Sequence, residues 1–412
     1  MSKHIFLTPE IILHGTQDEL CTEYAQEYIQ MFDSLDLSSI PRYNDGVGAS
    51  GYDQHAMIKA LIVLTKEGYK STLQLIRELK AKPGFSKYVL GFKNSIPDNS
   101  TFYRFINHFD QSLLLELCAQ INKATLNATR TKLDLLAIDA KPIVANTKDN
   151  NPKCFVHNLS DKTRPPQRNE DSALGFLTST NDINGKAKTL FFWGYRIHLI
   201  VDANTDTPLV WKIVKANRRE NTVTEELYEL LKIHYSGYFA DTLIQLADKG
   251  YDYRNVYEGF YKKLSGFSII SKNSRNSRPD KALAANGSPL CKAGLAMVFK
   301  GTWYDQKTRR QRCKFRCPNL KLECEHKKSD YGCTKYLQIS DPINGEIAPF
   351  QPQYSKLYSK RQSVERVNAY LTKVGVDFPN HFAIRSIENL IGFALLAKSL
   401  TKNQILNLPQ AA

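Results

Sequence analysis

LDLLAIDAK, residues 133–141, opens with a dense apolar run, Leu133–Ile138, that stops at Asp139. A short continuous apolar run of this kind reads as a strand buried on both faces. Downstream, Leu190–Val201 (LFFWGYRIHLIV) and Pro208–Val214 (PLVWKIV) are rich in β-branched and aromatic residues. The turn cluster Asp202–Thr207 between them makes the pair a hairpin. Thr222–His234 then reads as a helix, Leu243–Ala247 as a strand ending at Asp248, Arg254–Leu264 as a helix and Phe267–Ile270 as a strand. The polar stretch 147–188, with Pro152, Pro165 and Pro166, reads as a long loop or insertion.

The order β-β-β-α-β-α-β is that of the ribonuclease H fold, so the chain is expected to be α/β with a ribonuclease H-like core. Residues 1–130 read as an α-helical N-terminal domain. Helical spacing covers Thr16–Phe32, Asp53 and Ser71 are placed to cap two helices, Ser100 precedes Thr101–Phe109, and Leu113–Leu126 is a further run. Lysines and arginines on these short helices suit a DNA-binding unit, although a helical scaffold with solvated lysines reads the same way. Residues 131–273 form the first part of the core, 274–353 a basic Cys-rich insertion, and 354–412 the closing helices, Lys360–Val374 and Ile384–Leu400.

Composition narrows the function classes. The formal charge is +15, with 42% apolar and 11% aromatic residues. That is too apolar for disorder, and the charge attracts polyanions and makes nucleic acid the default partner. A merely basic soluble protein stays open on charge alone. No run is long enough for a membrane span, and MSKHIFLTPEIILHG does not read as a signal peptide, so a cytoplasmic location is expected. The eight cysteines are then not expected to pair as disulfides.

Asp139 and Asp248 both stand where an apolar strand ends, the position at which α/β sheets place their sites. The third candidate is Glu365 in YSKLYSKRQSVERVNAYLTK. At 100° per residue, Tyr358, Arg361 and Glu365 share one edge of a helix, next to an apolar stripe of Val364, Val367, Leu371 and Val374. Three convergent carboxylates repel one another unless cations hold them. Two Mg²⁺ ions (or Mn²⁺) roughly 3.5–4 Å apart supply that charge and suit in-line attack on a phosphodiester. Arg361 has the planar fork for a phosphate. Taken singly, the two aspartates are also what turn starts look like, and Glu365 what a solvated helix residue looks like.

With these residues quoted, the chain resembles the DDE transposases of bacterial insertion sequences, in the broad group that includes the IS4 and IS5 families. The segments DQHAMIKALIVL, LIRELK and IPDNSTFYRF resemble its helical N-terminal domain. AIDAKPIVANTKDNNPK and LADKGYD resemble its two aspartate blocks, the hairpin through ANRREN the block between them, and LYSKRQSVERVNAYLTK the glutamate block. The resemblance implies that Asp139, Asp248 and Glu365 form the metal-binding triad. It implies that Tyr358 and Arg361, with Lys360 and Lys373 beside them, contact DNA. Thr372 stands where the pattern has a lysine, with Lys373 next to it. Glu220 stands where relatives often have Asp. His198 could touch DNA or metal, or be a packed hairpin histidine. The activity implied is binding of terminal inverted repeats, metal-dependent cleavage and joining of 3′ ends to target DNA, by a homodimer at the bacterial nucleoid. A catalytically silent DNA-binding descendant and a nuclease that never joins strands are the alternatives.

Between Asp248 and Glu365 the chain is far longer than a sheet-to-helix connection needs. Cys313, Cys317, Cys324 and Cys333, with His326 among them, have the local spacing of a structural Zn²⁺ site, or are simply reduced thiols. Nine Lys or Arg in 307–328 could grip a DNA backbone. Trp303 and Tyr304 could stack on an unpaired base or form the insertion's own small core.

Overall fold

The computed structural model describes residues 17–43, 51–93, 95–148, 166–179, 188–271, 284, 288–306, 310–318, 324, 332–338 and 352–407. The helices before the sheet begin where side chains can cap them. Thr22 accepts from Ala25 N–H to start α1 (Glu23–Asp33), so the Thr16–Phe32 reading is broken at Cys21–Thr22. Asp53 accepts from the N–H groups of His55 and Ala56 at the head of α2 (Gln54–Lys66), and Ser71 from Gln74 at the head of α3 (Thr72–Ala81). Asp98 caps α4 (Asn99–His108), which starts two residues before the expected Thr101, accepting from Thr101 N–H at 2.7 Å. The carboxylate reaches the third N–H of the turn, the usual cap geometry. Asp110 caps α5 (Gln111–Thr129).

The main sheet is built on β1 (Leu133–Val144) and β3 (Lys188–Asp202), which pair antiparallel from Leu136↔Asp202 to Val144↔Gly194. β4 (Thr207–Lys215) returns antiparallel beside β3, completing the expected hairpin. On the other side β5 (Phe239–Ala247) and β6 (Phe267–Ile270) run parallel to β1, reached through α6 (Thr224–Tyr235) and α7 (Arg254–Leu264). The order β4-β3-β1-β5-β6 is the strand order of a ribonuclease H-like core. Its apolar strands read as continuous because both faces are covered.

Three readings need correction. Asp139 lies within β1, not beyond its end, because β3 continues to pair with β1 as far as Val144. The stretch 147–188 is not all loop: β2 (Ala173–Ser179) pairs antiparallel with the first half of β3, from Ala173↔Gly194 to Ser179↔Lys188. Its sequence, ALGFLTS, has little strand propensity of its own and owes its form to that partner. The helix expected over Lys360–Val374 is α9 (Gln362–Lys373), but Tyr358, read onto the same helix edge as Arg361 and Glu365, ends a separate helix, α8 (Pro352–Tyr358), joined to α9 by a 3₁₀ turn at Ser359–Arg361. Tyr358 anchors α8 to the end of β5 while α9 packs over β1 and β3.

The last helix, α10 (Ile384–Asn407), packs against α5, α2 and α4 and against β4. One apolar cluster therefore runs from Tyr28 and Leu61 through Leu136, Ile200 and Trp211 to Phe393 and Leu400. Residues of 274–353 form a separate three-stranded antiparallel sheet, β7 (Val298–Asp305), β8 (Arg310–Arg316) and β9 (Thr334–Gln338). No helix among the described residues is long and apolar enough to cross a membrane.

Candidate active site

The parallel pairing of β1 with β5 ends at Ala137↔Leu246, two residues before Asp139. Beyond that point β1 has an open edge, and the Asp139 carboxyl sits in the crevice so formed. Burial, then the charge of Asp248, pushes it up to about 7, against the pull of the Ala140 N–H and of Arg361. Asp248 follows the last residue of β5 and caps a 3₁₀ turn, Lys249–Tyr251, accepting from Gly250 N–H at 2.8 Å. The rigid sheet thus fixes both aspartates, Asp139 from within β1 and Asp248 from the end of β5.

Glu220 joins them from the 3₁₀ turn Glu220–Thr222 after β4. It is ion-paired with Arg196 of β3 at 3.1 Å, and burial and Asp248 together raise its carboxyl above the usual range. Tyr251 lies fully buried behind the cluster, its hydroxyl raised well above the usual phenol value by burial and by Glu220, Asp139 and Asp248. Its partner is His198 Nδ1 at 3.2 Å. His198 is fully buried, and burial and the nearby arginines hold its ring down to about 3, so it is a neutral, packed hairpin histidine.

The glutamate segment approaches from the helical side. Tyr358 donates to the carbonyl of Ala247, next to Asp248, at 3.1 Å. Arg361 lies over the Tyr358 ring, 5.9 Å from its centroid, feels the charge of Asp139 and is ion-paired with Glu365 one turn on. The i,i+4 relation expected of Arg361 and Glu365 therefore survives the break after Tyr358. Glu365 itself is half exposed, at the rim. Lys360 reaches Asn204 in the β3–β4 turn, 3.4 Å away, and Lys373 is exposed at the end of α9. Thr372 accepts from Lys141 of β1 at 2.7 Å, and Lys141 also pairs with Asp377 at 2.8 Å.

Asp139, Asp248, Glu220 and Arg361 are thus gathered at one crevice, with Glu365 held beside it by Arg361. Among the described residues no three His, Cys, Asp or Glu side chains are close enough to share one ion. Mg²⁺ needs no such cage: it commonly takes one or two carboxylates and keeps its waters for substrate oxygens. Asp139 and Glu220, whose carboxyls burial and the charge of Asp248 raise, are with Asp248 a fitting donor set for it.

Asn368 and Lys141 were not singled out in the sequence, although a signal for each was present. Asn368 lies three residues after Glu365 on the same helix, and Lys141 two after Asp139 on the same strand face. Arg196 meets Glu220 only through the register of β3 against β4, which has no local signature.

In the smaller sheet Cys313 is fully buried in an apolar cluster with Cys291, Met297 and Phe315, where burial pushes its thiol up to about 11. Cys333 packs against the same cluster, and Cys317 N–H donates to the Cys333 carbonyl at 2.9 Å. Trp303 is exposed on β7 and meets the Tyr336 ring edge-on at 4.9 Å. His326, the side chain of Tyr304 and most of 307–328 lie outside the described residues.

A family model described as "Transposase DDE domain" matches residues 130–397, from the start of β1 through most of α10. The chain belongs to the DDE transposase family. A second model, "Transposase domain", matches residues 24–108, the helices α1 to α4. The family's chemistry depends on divalent metal, and the chain is accordingly a metal-dependent enzyme. No curated protein matches the chain significantly. Among solved structures it is similar to a piggyBac transposase synaptic complex with hairpin DNA. That match has 13% identity, 95% of this chain, 75% of that chain and a TM-score of 0.40. It is also similar to a Mos1 mariner paired-end complex with Mn, at 14% identity over 61% of this chain and 69% of that chain, with a TM-score of 0.17.

Proposed function

We propose that this transposase binds the terminal inverted repeats of its own element, hydrolyses the phosphodiester at each end and joins the freed 3′-hydroxyl to target DNA. The observation that carries this reading is the placing of Asp139 and Asp248 in one crevice beneath Arg361, with Glu365 one helical turn from that arginine. Asp139, Asp248 and Glu365 would hold Mg²⁺ or Mn²⁺. Bound there, such ions lower the pKa of an attacking water or hydroxyl and neutralise charge on the leaving oxygen.

The chain's own groups do the rest. Arg361 offers two parallel N–H donors to a phosphate oxygen pair once Glu365 turns inward. Tyr358 fixes the floor of the crevice through its bond to Ala247. Lys360 and Lys373, at either end of α9, follow the DNA backbone on each side of the cut. The helices of residues 1–130 add DNA contacts, and a homodimer brings two ends together.

The test uses the purified protein and a DNA fragment carrying its own gene with native flanks, incubated with Mg²⁺ or Mn²⁺. Metal-dependent nicks at the element boundaries are expected. Boundary binding without any cleavage would favour a silent DNA-binding protein.

A further inference from the structure

Glu220 lies outside the three residues to which the metal chemistry is assigned, and its surroundings are those of the site itself. It reaches the crevice from the turn after β4. A Cβ built on Gly250 would stand 2.2 Å from Glu220 Oε2 and 2.9 Å from Asp248 Oδ1. The two carboxylate oxygens therefore converge on one point, directly over a residue that must lack a side chain. Asp139 feels the charge of both, and the buried Tyr251 feels all three.

Two carboxylates do not converge in a half-buried crevice without a compensating charge. Arg196 supplies part of it, pairing with Glu220 Oε1 and donating to the carbonyl of Phe176 at 2.7 Å. That pairing engages one oxygen of Glu220 and leaves Oε2, the oxygen beside Asp248, facing the crevice. Glu365 at this stage is engaged with Arg361.

Resting on the proposed reading of the centre, we propose that Glu220 is a fourth carboxylate of that centre. With Asp248 it holds a divalent cation before DNA is bound. Arg196 moderates the charge of Glu220. A pair of carboxylates is the complement Mg²⁺ commonly takes from protein, the rest of its shell being water and substrate oxygen. Gly250 belongs to the same device, since any side chain there would push the two carboxylates apart.

The experiment titrates Mn²⁺ into the DNA-free, full-length protein and counts free Mn²⁺ by its electron paramagnetic resonance signal. Glu220→Gln is expected to weaken binding by about tenfold or more, the scale on which metal sites respond to loss of a supporting partner. Arg196→Gln, by removing the moderating cation, is expected to tighten it. Thermal unfolding of each variant identifies any that fails to fold, and the other then decides. Mn²⁺ binding by folded Glu220→Gln equal to that of the unaltered protein would overturn the proposal, as would weaker binding by Arg196→Gln. Asp248→Asn separates this from the underlying reading. If Asp248→Asn also binds Mn²⁺ unchanged, the centre itself has been misread. If only Glu220→Gln is unchanged, the centre stands and Glu220 is not part of it.

Discussion

Asn368 donates through Nδ2 to Asp139 Oδ2 at 2.9 Å, tying the helix that carries Glu365 to the strand that carries the first aspartate. The amide arrives from one turn beyond Glu365, so one helix face both presents the glutamate and orients the aspartate. Asn368→Ala leaves Asp139 free to rotate. Loss of such an orienting partner lowers metal-dependent activity by about 10–100-fold. Rates of end cleavage for the two proteins, matched for folded content by circular dichroism, check this. An unchanged rate would show that Asp139 needs no such tether.

The Arg361–Glu365 pair predicts an effect on binding as well as on chemistry. A guanidinium that exchanges a carboxylate for a DNA phosphate releases counterions. Arg361→Ala should then reduce the slope of log affinity against log salt by about one. Arg361→Lys should restore the slope but not the cleavage rate, because an ammonium cannot bind two phosphate oxygens in the same planar way. Affinities for an end duplex over a range of salt concentrations measure this, and an unaltered slope in Arg361→Ala would contradict it.

The first half of β3 depends on a close approach at Gly194. A Cβ there would lie 2.0 Å from the carbonyl oxygen of Ile143, in the partner strand. Neither backbone can withdraw, since Ala145 N–H is bonded to Trp193 and Ala216 N–H to Gly194 itself. Gly194→Ala should therefore cost about 1–3 kcal/mol, as overpacking generally does. Denaturant unfolding measures it, and a neutral result would mean that the two strands part more easily than their register implies.

Metal-free stability should depend on pH through Asp139. Its carboxyl is held up to about 7 in the fold, against about 4 in an unfolded chain. The folded state thus binds the proton more tightly. The associated stability is complete below about pH 4 and is lost as pH rises through about 7. In chelator, urea midpoints should fall between about pH 5 and about pH 8, and Asp139→Asn should flatten that fall. Equal slopes in the two proteins would contradict the burial argument.

Much of this architecture is legible along the chain. Leu190–Val201 and Pro208–Val214 announce their hairpin because a central strand pair needs β-branched and aromatic side chains on both faces. Arg254–Leu264 and Phe267–Ile270 have the bounds that periodicity sets. Asp248 is legible because a carboxylate after an apolar run has nowhere to go but the strand end. β2 is not legible, since ALGFLTS is made a strand by the edge of β3. The 3₁₀ turn at Ser359–Arg361 is equally hidden, since no proline or glycine marks it. Asp139 is legible as a carboxylate that closes an apolar run but not as mid-strand, because where β1 ends is decided by β3. Glu220 acquires its meaning only from the register that brings Arg196 and Gly250 to it.

The most direct test of the account supplies pre-cut element ends bearing 3′-hydroxyls, a supercoiled target and Mg²⁺ to the unaltered protein and to Asp139→Asn, Asp248→Asn and Glu365→Gln. The account predicts joined product with the unaltered protein and its loss in each of the three variants, with all four proteins still binding the ends. Joining by any of the three variants at the unaltered rate would contradict the assignment of that residue. Failure of the unaltered protein to join ends that it binds would contradict the strand-transfer activity itself.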